Sequence, residues 1–257
     1  MTTERYTIPS VVHACEILRL MATKEQGLSM QALEEALSLP RTTVFRLLKT
    51  LLAENLLEKR GKLYFSGASL LQLGLQVIHS DRLQHFAIPH IQRLALKTGY
   101  TAHLAVPNHG KALIVEVFDS PSPLMVSKRP GGEAQLHCSA TGKVFLAFLY
   151  ADNVDLLMEE HPMEKHTDLT ITDIEMLKKE LSRVSAMGYA IDEREYNNDV
   201  RCVAVPVRDS MGTVVAALGI TAPAAIFPKE NITQVSDMVK EAARGIYRDT
   251  YQLGRTK

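Results

Sequence analysis

The sequence predicts an α+β protein with two parts, a small helical unit that ends in a β-hairpin and a larger α/β unit built on an antiparallel sheet. The chain has 257 residues, 46% of them hydrophobic, which is enough for two modest domains. Three helical patterns come first, a hairpin pattern follows, and helices then alternate with paired strands. We place the first domain at 1–66, a linker helix at 67–80 and the second domain at 81–257.

Helical spacing and capping residues predict the first two helices. The apolar stripe of the first helix comprises Val11, Ala14, Cys15, Leu18 and Met21. Ser29 is placed to cap a short second helix, and Ser38-Leu39-Pro40 ends it and begins the third, because proline is tolerated in a first helical turn. This order is typical of a helix-turn-helix.

The third helix, predicted at 41–55, has one apolar and one polar face. Its apolar residues are Val44, Leu47, Leu48, Leu51 and Leu52. The opposite face carries arginine, lysine and threonine. In DNA complexes arginine hydrogen-bonds guanine, lysine neutralises phosphates, and threonine bonds bases or contacts the thymine methyl group. The predicted DNA contacts of this helix are Arg41, Thr42, Thr43, Phe45, Arg46 and Lys49.

A basic hairpin is predicted after the third helix. Residues 56–65 form two short strands around Gly61, and Lys62 in the turn is a further predicted DNA contact. The chain carries 29 basic and 29 acidic residues, yet the stretch from Ser38 to Ser66 is locally basic. Helices and hairpin together indicate a winged helix-turn-helix whose partner is a double-stranded DNA operator. A winged helix that binds protein, with an empty second domain, is an alternative that the polar helix face disfavours.

The rest of the chain alternates between helices and strands. The linker helix is apolar on several sides, which favours packing against a partner copy. Predicted helices span 83–97, 140–149, 152–160, 173–187 and 228–251, with Gly188 as a C-cap. Predicted strands span 100–106, 111–118, 124–128, 189–192, 201–208 and 213–221.

Composition argues for a soluble protein of a reducing compartment. No apolar run reaches the roughly 20 residues that cross a bilayer, and the first residues lack the layout of a signal peptide. Cys15, Cys138 and Cys202 lie too far apart in sequence to suggest a disulfide framework or a CxxC metal site. We therefore expect a cytoplasmic protein with reduced thiols and no membrane contact.

The segment Leu136–Lys143 leads from an irregular stretch into an apolar helix. The backbone N–H groups of Ala140 and Thr141 are expected to lie unpaired at the helix start, where anions bind. A phosphate-binding GxxxxGK loop is excluded, because residue 137 is histidine and neither serine nor threonine follows Lys143. The alternative is a helix start that merely packs into the core.

Four segments together resemble the conserved blocks of IclR-type transcriptional regulators. They are LPRTTVFRLLKTL at 39–51, LHCSATGK at 136–143, GYAIDERE at 188–195 and CVAVPVRDSMGTVVAALGIT at 202–221. Their order and spacing match the family over nearly the whole chain. The resemblance implies a DNA-binding domain, a linker helix and an effector-binding domain, assembled as homodimers that often pair into homotetramers. Our hypothesis for the mechanism is a population shift, in which the effector favours one arrangement of the effector domains and the linker helix changes the spacing of the paired DNA heads, and so the operator affinity.

The resemblance also implies where a small organic-acid effector binds. Its carboxylate would meet the N–H groups of Ala140 and Thr141, and further contacts map onto Asp192, Cys202, Gly219 and Thr221. Family members that bind small 2-oxo acids tend to have serine at both of the last two positions. Because Gly219 removes a hydroxyl and frees volume, we expect a bulkier acid, aromatic or sugar-derived.

Metal and enzyme chemistry are the remaining alternatives. His137 and Cys138 have no second ligand at metal-binding spacing, so neither a metal nor a cofactor is predicted. A Cys-dependent hydrolase would pair Cys202 and Asp192 with a histidine; the candidate histidines are His103, His137 and His161. No helix start follows Cys202 to lower its pKa, which disfavours an enzyme.

Overall fold

The structure, a computed structural model, describes residues 6–24, 26–80, 82–122 and 130–252, without the side chains of 78–80. Contacts divide the chain into two units, Met1–Asp81 and Arg82–Lys257. The first is helical with a hairpin and the second is helical around an antiparallel sheet, so the predicted α+β class is confirmed. Among the described residues, no helix is both long and apolar enough to span a membrane.

The described residues of the first unit form four helices and a three-stranded sheet. Its helices are α1 (Pro9–Ala22), α2 (Met30–Leu37), α3 (Arg41–Ala53) and α4 (Ala68–Ser80). Its strands are β1 (Leu28–Ser29), β2 (Leu57–Arg60) and β3 (Leu63–Ser66), in the order β1-β3-β2. The hairpin β2–β3 is the predicted wing, whereas β1 is too short to show a strand period in the sequence.

Local chemistry sets the turn between α2 and α3. The Ser29 hydroxyl accepts the N–H of Ala32 at 3.1 Å, which confirms the predicted cap of α2. Ser38 takes a left-handed conformation with φ +52° and ends α2, after which Pro40 precedes α3. This tight turn orients α3 against α2 as a helix-turn-helix requires.

The core of the first unit corrects one prediction. Val44, Leu47, Leu48 and Leu51 of α3 are buried as predicted. In α1, however, Ile17 is fully buried while Val11 is 55% exposed. The predicted stripe of α1 is correct for Ala14, Leu18 and Met21, which lie in or against this core. It is wrong for Val11, because the helix is apolar on more than one side and the core covers the side that carries Ile17.

The second unit places helices on both faces of one sheet. Its helices are α5 (Arg82–Thr98), α6 (Ala140–Phe148), α7 (Val154–Glu160), α8 (Ile174–Met187) and α9 (Ile232–Tyr247). Its strands are β4 (Thr101–Asn108), β5 (Lys111–Phe118), β6 (Glu133–Gln135), β7 (Ala190–Glu193), β8 (Val200–Arg208) and β9 (Val214–Pro223). Gly188 ends α8 as predicted. The strand predicted at 124–128 lies outside the described residues, and β6 was not predicted.

All neighbouring strands of this sheet are antiparallel, in the order β6-β5-β4-β9-β8-β7. One face packs against α5 and α9 around Leu104, Leu218 and Val239. The other face packs against α6 and α8, around Ala204, Val144 and further small or aliphatic residues. The second face also carries Asp192, Cys202 and Thr221. Small side chains on this face let α6 approach the strands closely.

Candidate functional site

The polar face of α3 is free for a partner. Thr42, Phe45, Arg46 and Lys49 are exposed, and Thr43 is half-buried on their flank. The Lys49 ammonium lies 5.8 Å from the centre of the Phe45 ring, so the ring supports the lysine at the surface. Arg41 begins the helix and lies 3.8 Å from Glu34, which offsets part of its charge. The helix thus exposes Arg41, Thr42, Phe45, Arg46 and Lys49 together, and Thr43 lies at the edge of this surface.

The wing is basic as well. Lys62 is exposed in the β2–β3 turn directly after Gly61. Lys59 lies 5.4 Å from the centre of the Tyr64 ring, and Arg60 lies 4.8 Å from that of Phe65. These stacked cations are held near the hairpin rather than spread into solvent, as a backbone-contacting wing needs.

The start of α6 is buried and polar. Ser139 caps the helix, accepting the Gly142 N–H at 3.0 Å and donating to the Gln135 carbonyl at 2.6 Å. A Cβ on Gly142 would lie 2.6 Å from that carbonyl, so only glycine lets the preceding loop pack on this first turn. Within the described chain, no protein group accepts the N–H groups of Ala140 and Thr141. They are therefore available to an anion.

A row of polar side chains crosses the sheet under α6. Strand register places Asp192 beside Cys202, and Cys202 beside Thr221, on the same sheet face. The Cys202 sulfur lies 3.2 Å from the Thr221 hydroxyl. One carboxylate oxygen of Asp192 accepts the N–H groups of Glu195 and Tyr196, at 2.8 and 3.3 Å. All three side chains are buried, and Cys202 packs in the same cluster as Ala140.

Gly219 is next to this row, and its space is not empty. A Cβ built there would lie 2.8 Å from Nε2 of His103, which is directly opposite Gly219 on β4 and is buried. The expectation that Gly219 frees volume for a larger acid was therefore wrong, because the imidazole fills that volume. Sequence reasoning missed the contact between His103 and Gly219, because the two residues come from strands far apart in the chain.

Lys143 points into the protein rather than toward a phosphate. Its ammonium lies 2.5 Å from Glu195, 3.0 Å from the Ile191 carbonyl and 3.4 Å from Glu180, and it is completely buried. Burial raises the pKa of Glu195 to about 7, although the Lys143 ammonium lowers it. Lys143 thus anchors α6 to α8 and to the end of β7.

The three candidate histidines of the hydrolase alternative lie on separate elements. His103 lies against Gly219, and His161 packs against Gly110 on the β4–β5 turn. His137 has Nε2 3.0 Å from the Glu164 carbonyl. The Cys202 sulfur lies 3.2 Å from the Thr221 hydroxyl, which is not a base strong enough to activate a thiol.

An open groove in this unit lies away from the polar row. It has a volume of about 820 Å³ and is bordered by the end of α8, the β8–β9 turn and α9. Its cations include Lys240 and Arg244, but none of the six predicted effector contacts lines it. The groove therefore offers a control surface for binding experiments.

Comparison with known proteins identifies the family. Residues 10–61 match the IclR helix-turn-helix domain, and residues 75–248 match the C-terminal domain of bacterial IclR transcriptional regulators. The chain belongs to the IclR family. Both of its units are therefore accounted for by IclR domains, in the order that the sequence blocks indicated.

Curated IclR relatives extend over most of the chain. The transcriptional repressor AllR of Klebsiella pneumoniae is 28% identical over 232 residues, covering 90% of this chain and 85% of AllR. The transcriptional regulator BhcR of Paracoccus denitrificans is 29% identical over 239 residues, covering 92% and 85%. The chain is accordingly a transcriptional regulator with a helix-turn-helix and an effector-binding domain, and not an enzyme.

Solved IclR structures share the fold. The IclR protein of Thermotoga maritima superposes with a TM-score of 0.72 and 26% identity, covering 95% of this chain and 99% of that one. An IclR homologue from Microbacterium hydrocarbonoxydans, complexed with 4-hydroxybenzoate, has a TM-score of 0.81 and 24% identity, covering 94% and 98%. The latter likeness shows the fold alone.

Proposed function

We propose that this IclR regulator changes its affinity for a DNA operator when a small organic acid binds at the start of α6. The observation that carries the proposal is the pair of unaccepted N–H groups at Ala140 and Thr141, buried above the row Asp192, Cys202 and Thr221. We call these five residues and Gly219 the effector site. A carboxylate would bind the N–H groups and the positive end of the helix dipole.

The rest of the effector would contact the polar row. Thr221 and Cys202 bring a hydroxyl and a thiol to the sheet surface, and hydrogen bonds to these groups would orient a polar substituent of the acid. A protein of the same fold binds 4-hydroxybenzoate, which makes this compound a useful first probe. Glyoxylate, as a small 2-oxo acid, is the contrasting probe.

On the DNA side, α3 would enter the major groove and the wing would contact the backbone. Arg46 is exposed and would read guanine, while Lys49 and Lys62, which are also exposed, would contact phosphates. Thr42, Thr43 and Phe45 lie on the same surface and would pack against base edges. Arg41, which forms an ion pair with Glu34, would lie at the rim of the DNA interface.

We further propose a homodimer or homotetramer, because two DNA heads are needed for a change of spacing to alter operator affinity. The linker helix α4 supports this: Leu71, Leu73, Leu75 and Val77 are all at least 44% exposed. A helix with this much exposed apolar surface is stable in water when a second copy covers it. Sedimentation velocity at micromolar concentration checks this, and a monomer would contradict it.

The effector site is tested by calorimetric titration of the purified protein with 4-hydroxybenzoate and glyoxylate. Thr221→Val keeps the shape of the side chain but removes its hydroxyl, so we expect the affinity for the bound acid to fall about 10-fold or more. Asp192→Asn tests the neighbouring position without changing its size. Arg244→Ala, on the open groove, should leave the affinity unchanged; the reverse pattern would move the acid to that groove.

His103 is expected to limit the size of the acid, given the proposed site. His103→Ala removes the ring that fills the space at Gly219, so 4-hydroxybenzoate should gain affinity relative to glyoxylate. Adding Gly219→Ser to this variant returns a hydroxyl and volume, and should shift preference back toward glyoxylate. The ratio of the two dissociation constants is the measurement, and an unchanged ratio in both variants would remove His103 from the site.

A further inference from the structure

A cluster of His137, Cys138 and His166 lies just before α6. One ligand atom from each residue lies within 4.8 Å of the other two. His137 and Cys138 are buried in the loop after β6, while His166 is exposed in the loop between α7 and α8. The sequence indicates no third ligand near His137 and Cys138, because His166 lies 28 residues after Cys138 and only the fold brings it close.

We propose that these three residues bind a zinc ion, with the Gln135 amide oxygen available as a fourth ligand. Imidazole nitrogen and thiolate sulfur are the ligands that Zn²⁺ prefers in proteins. Gln135 Oε1 already lies 2.8 Å from His166 Nε2 and 3.9 Å from the Cys138 sulfur. A tetrahedral site needs about 3.4 Å between ligand atoms, so small side-chain movements would close this one.

The supporting hydrogen bonds hold the ligands in place. His137 bonds the Glu164 carbonyl at 3.0 Å, and Gln135 donates to the Glu164 carboxylate at 2.8 Å. Contacts of this kind orient metal-binding side chains in known sites. A cavity of about 310 Å³, lined by Gln135, His137 and Glu164 among others, gives an ion access from solvent.

The His166 loop is fixed by two buried threonines. The Thr170 hydroxyl accepts the N–H groups of His166 and Thr167, at 3.1 and 2.8 Å, and donates to the Glu195 carbonyl at 2.6 Å. The Thr167 hydroxyl donates to the Arg194 carbonyl at 2.8 Å. His166 is thereby held beside the other ligands before any ion binds, which lowers the entropic cost of binding.

The test uses the full-length protein, stripped with a chelator and dialysed against Zn²⁺ or Co²⁺. We expect one ion per chain and, with Co²⁺, the absorption bands of a thiolate-bound tetrahedral ion. His166→Ala changes an exposed side chain and should fold normally, yet weaken zinc binding by more than the roughly 10–100-fold that loss of a supporting contact costs. Cys138→Ser should abolish the thiolate band.

The matched control is His109→Ala, which removes another exposed histidine of the same unit and should leave zinc binding unchanged. Stoichiometric zinc in His166→Ala, or no zinc in the wild-type protein, would overturn the proposal. The measurement needs neither DNA nor an organic acid, so its outcome is independent of the effector site.

Discussion

Replacing Lys143 by methionine is expected to lower the free energy of unfolding by about 3–5 kcal/mol, the cost of leaving buried carboxylates without their cation. The Lys143 ammonium is completely buried and joins Glu195, Glu180 and the Ile191 carbonyl. Methionine fills nearly the same volume, so the loss is electrostatic rather than a packing defect. Urea denaturation at neutral pH measures it.

The pH dependence identifies the cause of this loss. Burial raises the pKa of Glu195 from 4.5 to about 7. The folded chain therefore binds the Glu195 proton more tightly than the unfolded chain does. The stability gained by this protonation is fully present below pH 4.5 and is lost as the pH rises to about 7 and above. The deficit of Lys143→Met should thus be smaller at about pH 5 than at about pH 8.

Lys143→Met combined with Glu195→Gln is the matched control, because it removes both charges of the closest pair. We expect the double variant to recover part of the stability lost in the single one. A deficit below about 1 kcal/mol in the single variant, or one that is equal at both pH values, would show that the buried pair does not anchor α6.

Arg46→Ala is expected to relax sequence discrimination by about 1–3 kcal/mol at one base pair of the operator. Arg46 is exposed on α3, opposite the buried Val44 and Leu48. Fluorescence anisotropy against an operator selected from random DNA, and against its single-base variants, measures the discrimination. Preserved preference at every position would mean that Arg46 contacts only the backbone.

Lys62→Ala provides the comparison for Arg46. Lys62 lies in the wing turn, where we expect a phosphate contact and no base contact. Its loss should weaken binding to all sequences alike and reduce the slope of log affinity against log salt by about 1. An unchanged slope would remove the wing from the DNA interface.

Local features of the fold could be predicted from the sequence because they depend on neighbouring residues. The apolar stripe of α3, the Ser29 cap and the end of α8 at Gly188 all follow from helical period and capping chemistry. The stripe of α1 could be predicted only in part, because this helix is apolar on more than one side and only the packed core shows that Ile17 is buried while Val11 is exposed.

The candidate sites depended more on contacts between distant segments. The position of Asp192, Cys202 and Thr221 in one row follows from strand register, which the family resemblance anticipated. Two contacts had no sequence signal: His103 in the space at Gly219, and His166 beside Cys138. Both arise from long-range packing, one through pairing of β4 with β9 and the other through hydrogen bonds of a loop.

The central claim is that an acid bound at the start of α6 controls the affinity of α3 for the DNA operator. We would titrate labelled operator with the wild-type protein and with Thr221→Val, each with and without the acid found by calorimetry. We expect the acid to change operator affinity several-fold in the wild-type protein. Thr221→Val should bind the operator with unaltered affinity in the absence of acid, and should need at least about 10-fold more acid for the same change. Equal operator affinity with and without saturating acid in the wild-type protein would contradict it.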